Sequence, residues 1–404
     1  MTVEIRTCSS PEELRVALDA ITHYFGRDTT PETATEFAQW IALERVHAAF
    51  DGDAIVGGAG AFSWRLSVPG GSVPAAGVTV VGVLPTHRRR GVLTQMMRAQ
   101  LDDCRERGDV VAHLWASEPT IYGRFGYGLA TRMGKMTLPA ERTRFATPFD
   151  PRGSFRLVDL DTAAATLPAL YDRMSEQRPG MASRDETWWR TRRLFDEPTR
   201  RHGGGPLNRV LLELEGEPAG YALYRVEQAW RNGISSGTVT VVEAVAPGPE
   251  GVRELWRWLL DFDWTSQFVA DLLPVDHELV LLLAEARRMS FQVNDATWLR
   301  LVDIGAALAA RAYTGDDAVV FEVRDAFCPW NEGRWRVANG EAERVDADAD
   351  IALDVSALAS AYLGAFTFAE LARSSRVQEL REGAIARADA LFARSLAPWC
   401  AEIF

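Results

Sequence analysis

Along the chain, continuous and alternating apolar runs are separated by stretches with helical spacing. "VEIRTCSSPEELRVALDAITHYF" predicts a short strand and then a helix, capped by Ser9 or Ser10 with Pro11 at its first position. "RVHAAFDGDAIVGGAGAFSWRLSVPG" predicts a strand, an Asp-Gly turn and a second strand. "GVTVVGVL" is apolar throughout, as expected of a strand buried on both faces. The segment after it, "LTQMMRAQLDDCRERG", puts Leu93, Met96, Met97, Leu101 and Cys104 on one helical stripe and stops at Gly108. "VVAHLWAS" predicts another buried strand. "TIYGRFGYGLA" is too rich in glycine for a long element.

Residues 151–300 repeat this order. "EPAGYALYRV" predicts a strand after a turn, and "GTVTVVEAVAPGPEGVRELWRWLLDFD" parallels the earlier strand and helix. Thr240, Val241 and Val242 match Thr79, Val80 and Val81, and a proline closes each strand, Pro85 and Pro247. The pattern predicts an internal duplication. From about residue 305 the texture changes to hairpin-like strands and short helices, a third domain of α+β type. The 404 residues suit such a division, at roughly 100–200 residues per domain. The predicted class is α/β with α+β character, in domains 1–150, 151–300 and 301–404.

One segment interrupts the apolar order. Between "VVGVL" and the helix stand Arg88, Arg89, Arg90 and Gly91, in a chain of formal net charge -12. A buried strand that feeds straight into a helix leaves the first helical N–H groups unpaired, and the helix dipole favours an anion there. Arginines supply donors that match phosphate oxygens. Gly91 lets the backbone come close to a ligand. The block reads as a seat for a pyrophosphate. The repeat lacks it: "APGPEGV" stands where "LPTHRRRGV" stood. Neither GxxxxGK[ST] nor GxGxxG occurs here, which sets aside the Walker and dinucleotide-binding loops.

Charge and composition narrow the partners. The acidic balance argues against nucleic acid and suits a cationic small substrate. No apolar run approaches the ~20 residues of a membrane span, and the N-terminus carries no export signal. Cys8, Cys104, Cys328 and Cys400 are far apart, so a reduced cytoplasm is expected. The histidines His23, His47, His87, His113, His202 and His277 are scattered, and no metal is expected. His87 could orient the arginine loop. Trp188 and Trp189 read as helix packing.

The segment Arg88-Arg89-Arg90-Gly91-Val92-Leu93 resembles the acyl-CoA motif of the GNAT acetyltransferase superfamily, [QR]-x-x-G-x-[GA], with Leu93 in place of the usual small residue. "VLPTHRRRGVL", "ASEPTIYGRFGYGLAT" and the terminal "PWCAEIF" together resemble the enhanced intracellular survival (Eis) family of N-acetyltransferases over essentially the whole chain. That resemblance implies tandem GNAT folds followed by a sterol-carrier-protein-like domain. It implies acetyl-CoA as cosubstrate, held by Val81, Gly82, Val83, Arg88, Arg89, Arg90, Gly91, Val92, Leu93, Thr94, Ser117 and Glu118. It further implies aminoglycosides, acetylated at several amines, or lysine side chains as acceptors, and a homohexamer.

Acyl transfer from a thioester to an amine asks for a proton donor to the thiolate, a donor to the oxyanion and a base for the amine. The resemblance puts the acid on Tyr122, four residues before Gly126-Tyr127, with Tyr127 packing beneath. The backbone N–H of Val83 is the expected oxyanion donor. The resemblance puts the base on the terminal carboxylate of Phe404, with Glu402 as an alternative. "FGRDTTPETATEFAQW" offers Asp28, Glu32, Glu36, Trp40 and Phe25 as an acceptor wall for a polyamine, although the same letters describe a solvated helix. A competing reading is a lipid-binding protein with vestigial acetyltransferase units.

Overall fold

The computed structural model describes residues 3–198, 201 and 203–404, so His202 lies outside the described residues. The chain forms two compact units. One holds residues 3–130, Thr297–Arg394 and Ile403–Phe404; the other holds Thr131–Ala296 and Ser395–Glu402.

The first unit is built on a seven-stranded sheet. In spatial order its strands are Glu4–Thr7, Val46–Asp51, Ala54–Val68, Gly71–Val83, Val111–Trp115, Thr297–Leu301 and Gly128–Leu129. Only the central pair, Gly71–Val83 with Val111–Trp115, is parallel. The helix Val92–Glu106 makes the crossover that such a pair requires. The helix Pro11–Thr22 starts as expected: Ser10 is the cap, accepting from Glu13 N–H. These two helices cover opposite faces of the sheet. Neighbouring side-chain positions on a strand alternate in direction; a Cβ on Gly57 would meet Met96 of one helix, and one on Gly58 would meet Ala17 of the other.

The same unit includes a five-stranded sheet, ordered Glu341–Arg344, Gly333–Ala338, Ala318–Arg324, Ile351–Asp354 and Val377–Glu379. Phe321, Phe368 and Phe392 fill its core, with ring centroids 5.0–5.8 Å apart. That core runs on into Leu66, Val68, Val73 and Ala75 of the first sheet.

The second unit repeats the first topology. Its seven strands run in the order Gln292–Asp295, Arg132–Pro139, Thr265–Pro274, Gly237–Val245, Glu217–Glu227, Asn208–Leu214 and Ser154–Leu157. The parallel pair is again central, Gly237–Val245 with Thr265–Pro274, and the helix Pro249–Leu259 joins its members. The alignment of Thr79 with Thr240 thus marks equivalent strands.

The sheets do not follow the boundaries at 150 and 300. Arg132–Pro139 pairs with Thr265–Pro274 in the second sheet. Thr297–Leu301 pairs with Val111–Trp115 in the first. Each half completes its sheet with a strand from beyond its own stretch of sequence, which apolar patterning cannot reveal.

Residues 395–402 pack into the second unit. The Trp399 indole N–H donates to Leu272 O at 2.8 Å, and Ala397 N–H donates to an Asp276 carboxylate oxygen at 2.7 Å. Among the described residues no helix is long and apolar enough to cross a membrane.

Candidate functional site

The site begins where the central strands part. The parallel ladder ends at Gly77 and His113, yet the strands run on to Val83 and Trp115. A bulge sharpens the divergence. Gly82 lies opposite Gly58 and Thr79 opposite Gly60, so Val80 and Val81 face the single residue Ala59. Val80 takes φ +49°, costly for a β-branched residue and held by the ladder on either side. Leu84 N–H donates to Val56 O, which makes Val83 and Gly57 a pair without mutual hydrogen bonds. The N–H and C=O of Val83 therefore turn into the gap. Tyr24 Oη donates to that carbonyl at 2.7 Å.

The arginine loop closes one end of the gap. His87 ties it down, with Nε2 3.1 Å from an Asp51 carboxylate oxygen and Nδ1 2.8 Å from Thr86 Oγ1. Arg89 and Gly91 take left-handed conformations at φ +61° and +79°. A Cβ on Gly91 would meet only Gln95 Nε2, at 4.0 Å, so glycine serves the backbone conformation there rather than packing. Gly91 caps the helix Val92–Glu106 without a side chain, leaving the leading N–H groups for a ligand. Arg88, Arg89 and Arg90 are exposed, and among the described residues none has an acidic partner.

Tyr122 ends the one-turn helix Pro119–Tyr122, which Glu118 caps by accepting from Thr120 N–H. Its ring is buried and edge-on to Tyr127 at 5.8 Å. Burial pushes the Tyr122 phenol up to about 12, so it holds its proton at neutral pH. Tyr127 lies fully inside the core beneath it, as expected.

Twelve predicted positions line one cleft of about 600 Å³: Val81, Gly82, Val83, Arg88, Arg89, Gly91, Val92, Leu93, Thr94, Ser117, Glu118 and Tyr122. Arg90 is not among its lining residues. Leu93 is half-buried at the cleft wall, and Gln100 takes a place in the buried helix face, donating to Gly60 O at 3.1 Å. Tyr24 and Phe25 also line the cleft, though Tyr24 was not singled out in the sequence.

The other predicted residues are not among the residues that line this cleft. The Phe404 ring packs on Trp64 at 4.8 Å, His113 at 4.9 Å and Phe62 at 6.4 Å. Gly77 makes room for this cluster, since a Cβ there would sit 2.6 Å from the Trp64 ring. Phe37 contacts Phe62 at 5.7 Å and Trp40 at 6.2 Å, so an aromatic chain links Trp40 to Phe404. Asp28 and Glu32 are exposed. Glu402 is buried in the second unit, 2.8 Å from Arg184 Nε and 3.9 Å from Arg193 Nη1. Its carboxylate is thus engaged by arginines inside the second unit. Burial pushes His113 down to about 3, so its imidazole is neutral. The alternation of Phe62 and Trp64 on one strand was the signal that could have found the aromatic floor. Trp188 and Trp189 are buried. Among the described residues no group of His, Cys, Asp and Glu side chains could hold a metal ion.

The second unit shows what its missing arginines leave behind. Its parallel ladder stops at Val241 and Ala270. The cavity beyond, lined by Ala244, Trp256, His277 and Trp399, is about 30 Å³, while an open groove of about 550 Å³ runs along Pro247–Gly251, where the first unit has its arginines.

The first unit's cleft suits a pyrophosphate and an amide-bearing arm. It offers unpaired arginines, uncapped helical N–H groups and the inward Val83 amide, which are the donors such a group needs.

Comparison with known proteins agrees with this architecture. Residues 4–130 and 180–301 each match an acetyltransferase (GNAT) domain, and residues 304–401 match a sterol carrier protein domain. An uncharacterized N-acetyltransferase of Streptomyces avermitilis is 42% identical, with 99% of each chain covered. N-acetyltransferase Eis of Mycobacterium tuberculosis is 33% identical, with 97% of each covered. The crystal structure of Eis1 from Mycobacterium abscessus is 35% identical with a TM-score of 0.87, covering 99% of this chain and all of that one.

Proposed function

The chain belongs to the Eis family of GNAT N-acetyltransferases, and from that premise we propose that it acetylates primary amines from acetyl-CoA, with aminoglycosides modified at more than one position and lysine side chains as acceptors. The carrying observation is the convergence of the arginine loop, the inward Val83 amide and Tyr122 on one cleft. Acetyl-CoA, when bound, supplies an activated acyl group. Arg88 and Arg89, with the helix N-terminus behind Gly91, hold its pyrophosphate. The Val83 N–H donates to the carbonyl oxygen as that oxygen gains charge. Tyr122 keeps its proton until the departing thiolate takes it. The Phe404 carboxylate takes the proton of the amine, directly or through water, with its ring anchored on Trp64 and His113. The net negative chain draws cationic acceptors toward it. We assign the assembly as a homohexamer, as the family resemblance implies. The aromatic filling of the C-terminal core favours a structural role for that region over lipid carriage.

Thiol release from acetyl-CoA on adding kanamycin-like amines, with products counted by mass spectrometry, tests this reading. Multiply acetylated product is expected. No turnover with any amine, together with co-purified lipid, sinks it. Tyr122→Phe is expected to lower kcat ~10²-fold or more while the KM for acetyl-CoA stays within about twofold. Because burial raises the phenol, the wild-type rate should show no alkaline loss between pH 8 and 10 from this group. Normal turnover of the variant would refute the assignment of the acid.

A further inference from the structure

The loop that carries Tyr122 rests on a buried ion pair. After Tyr122 the chain makes a tight turn over Gly123–Phe125 and passes through Gly126 at φ +82°. A Cβ on Gly126 would lie 1.9 Å from Arg300 Nη1, so the guanidinium lies directly against the loop backbone. Tyr127, the next residue, supports the Tyr122 ring. Arg300 is fully buried and bonds Asp325, also fully buried, at 2.5 Å. Asp325 is held in turn: it accepts from Cys328 N–H at 2.9 Å and from Asn331 Nδ2 at 3.0 Å. Asn331 also donates to Leu301 O and Val302 O, fixing the strand that carries Arg300. Phe327 of the same segment packs edge-on to Phe125 at 5.0 Å.

A wholly buried ion pair is a costly way to fill a core. Replacing one by apolar side chains of similar volume is often neutral or stabilising. What apolar residues do not reproduce is a guanidinium fixed by its hydrogen bond to Asp325, with Nη1 seated against the Gly126 backbone by contact rather than by a hydrogen bond. We propose that Arg300 and Asp325 are positioning residues, which fix the Gly126 turn and so aim the Tyr122 hydroxyl into the cleft. The C-terminal sequence region would then act on the chemistry through segment 325–331. This rests on Tyr122 being the proton donor.

A mutant cycle tests it. Arg300→Met with Asp325→Leu replaces the pair by apolar bulk, and Tyr122→Phe removes the hydroxyl. The paired replacement is expected to unfold within a few degrees of wild type, lose about 10–100-fold in kcat and keep its KM for acetyl-CoA within about threefold. In the Tyr122→Phe background it should cause little further loss, because the group being aimed is absent. Should the paired replacement not fold, Asp325→Asn keeps the shape and is read by the same cycle. An unchanged kcat, a loss confined to KM, or losses that multiply in the Tyr122→Phe background would each overturn the proposal. Normal turnover of Tyr122→Phe itself would instead show that the acid was misassigned.

Discussion

Arg89 and Arg90 are neighbours in sequence with different surroundings. Arg89 lines the cleft and Arg90 does not. A charge-assisted hydrogen bond is worth about 1.5–3 kcal/mol, and 1.4 kcal/mol is tenfold in affinity. Arg89→Ala is therefore expected to raise the KM for acetyl-CoA by ~10–100-fold with kcat nearly kept, while Arg90→Ala changes it by less than about threefold. Steady-state kinetics at fixed ionic strength decide this, and equal effects would contradict the geometry. The arginine seat was legible because a block of like charge, set between an apolar strand and a helix N-terminus, repels itself unless an anion joins it. Tyr24 was not legible: its hydroxyl meets Val83 across 59 positions of sequence. His113 was hidden for a similar reason, since its neighbours Trp64 and Phe404 come from two distant parts of the chain.

At the scale of elements, the cleft depends on glycines packed against a helix. A Cβ on Gly82 would stand 2.8 Å from Ala20 O and from Ile21 Cα, both backbone atoms of the helix Pro11–Thr22. Neither can yield without moving the helix. Gly82→Ala is expected to cost about 1–3 kcal/mol, as overpacking does, and to raise the KM for acetyl-CoA by shifting the strand edge. Denaturant unfolding with parallel kinetics checks both; wild-type stability would show that the helix can slide. The strands and the helix Val92–Glu106 were readable from periodicity. The bulge was not, because Val80 carries no sign of its left-handed backbone. Leu93, at the start of the apolar stripe, is only half-buried because the first turn of this helix faces the cleft.

For the whole molecule, the end of the chain is the sharpest test. Residues 395–402 are anchored through Trp399, Asp276 and Arg184, and Phe404 sits in an aromatic cluster of its own unit. Appending residues after Phe404 moves the terminal charge away from its ring. Such an extension should leave the melting temperature within about 2 °C and abolish amine acetylation; full activity would exclude the terminal base. The duplication was visible in "TVTVV" against "GVTVV". The exchange of strands was not, since Arg132–Pro139 and Thr297–Leu301 look alike whichever sheet receives them.

That exchange governs how the molecule is born. The strand Gly128–Leu129, which follows the Tyr122 turn, has Thr297–Leu301 as its partner in the sheet. On the ribosome, the amino-terminal fold must therefore wait for some 170 further residues to emerge before its last strands can zip together. Until then the nascent chain displays an open strand edge, and any fragment that stops short of residue 301 inherits that unfinished border permanently.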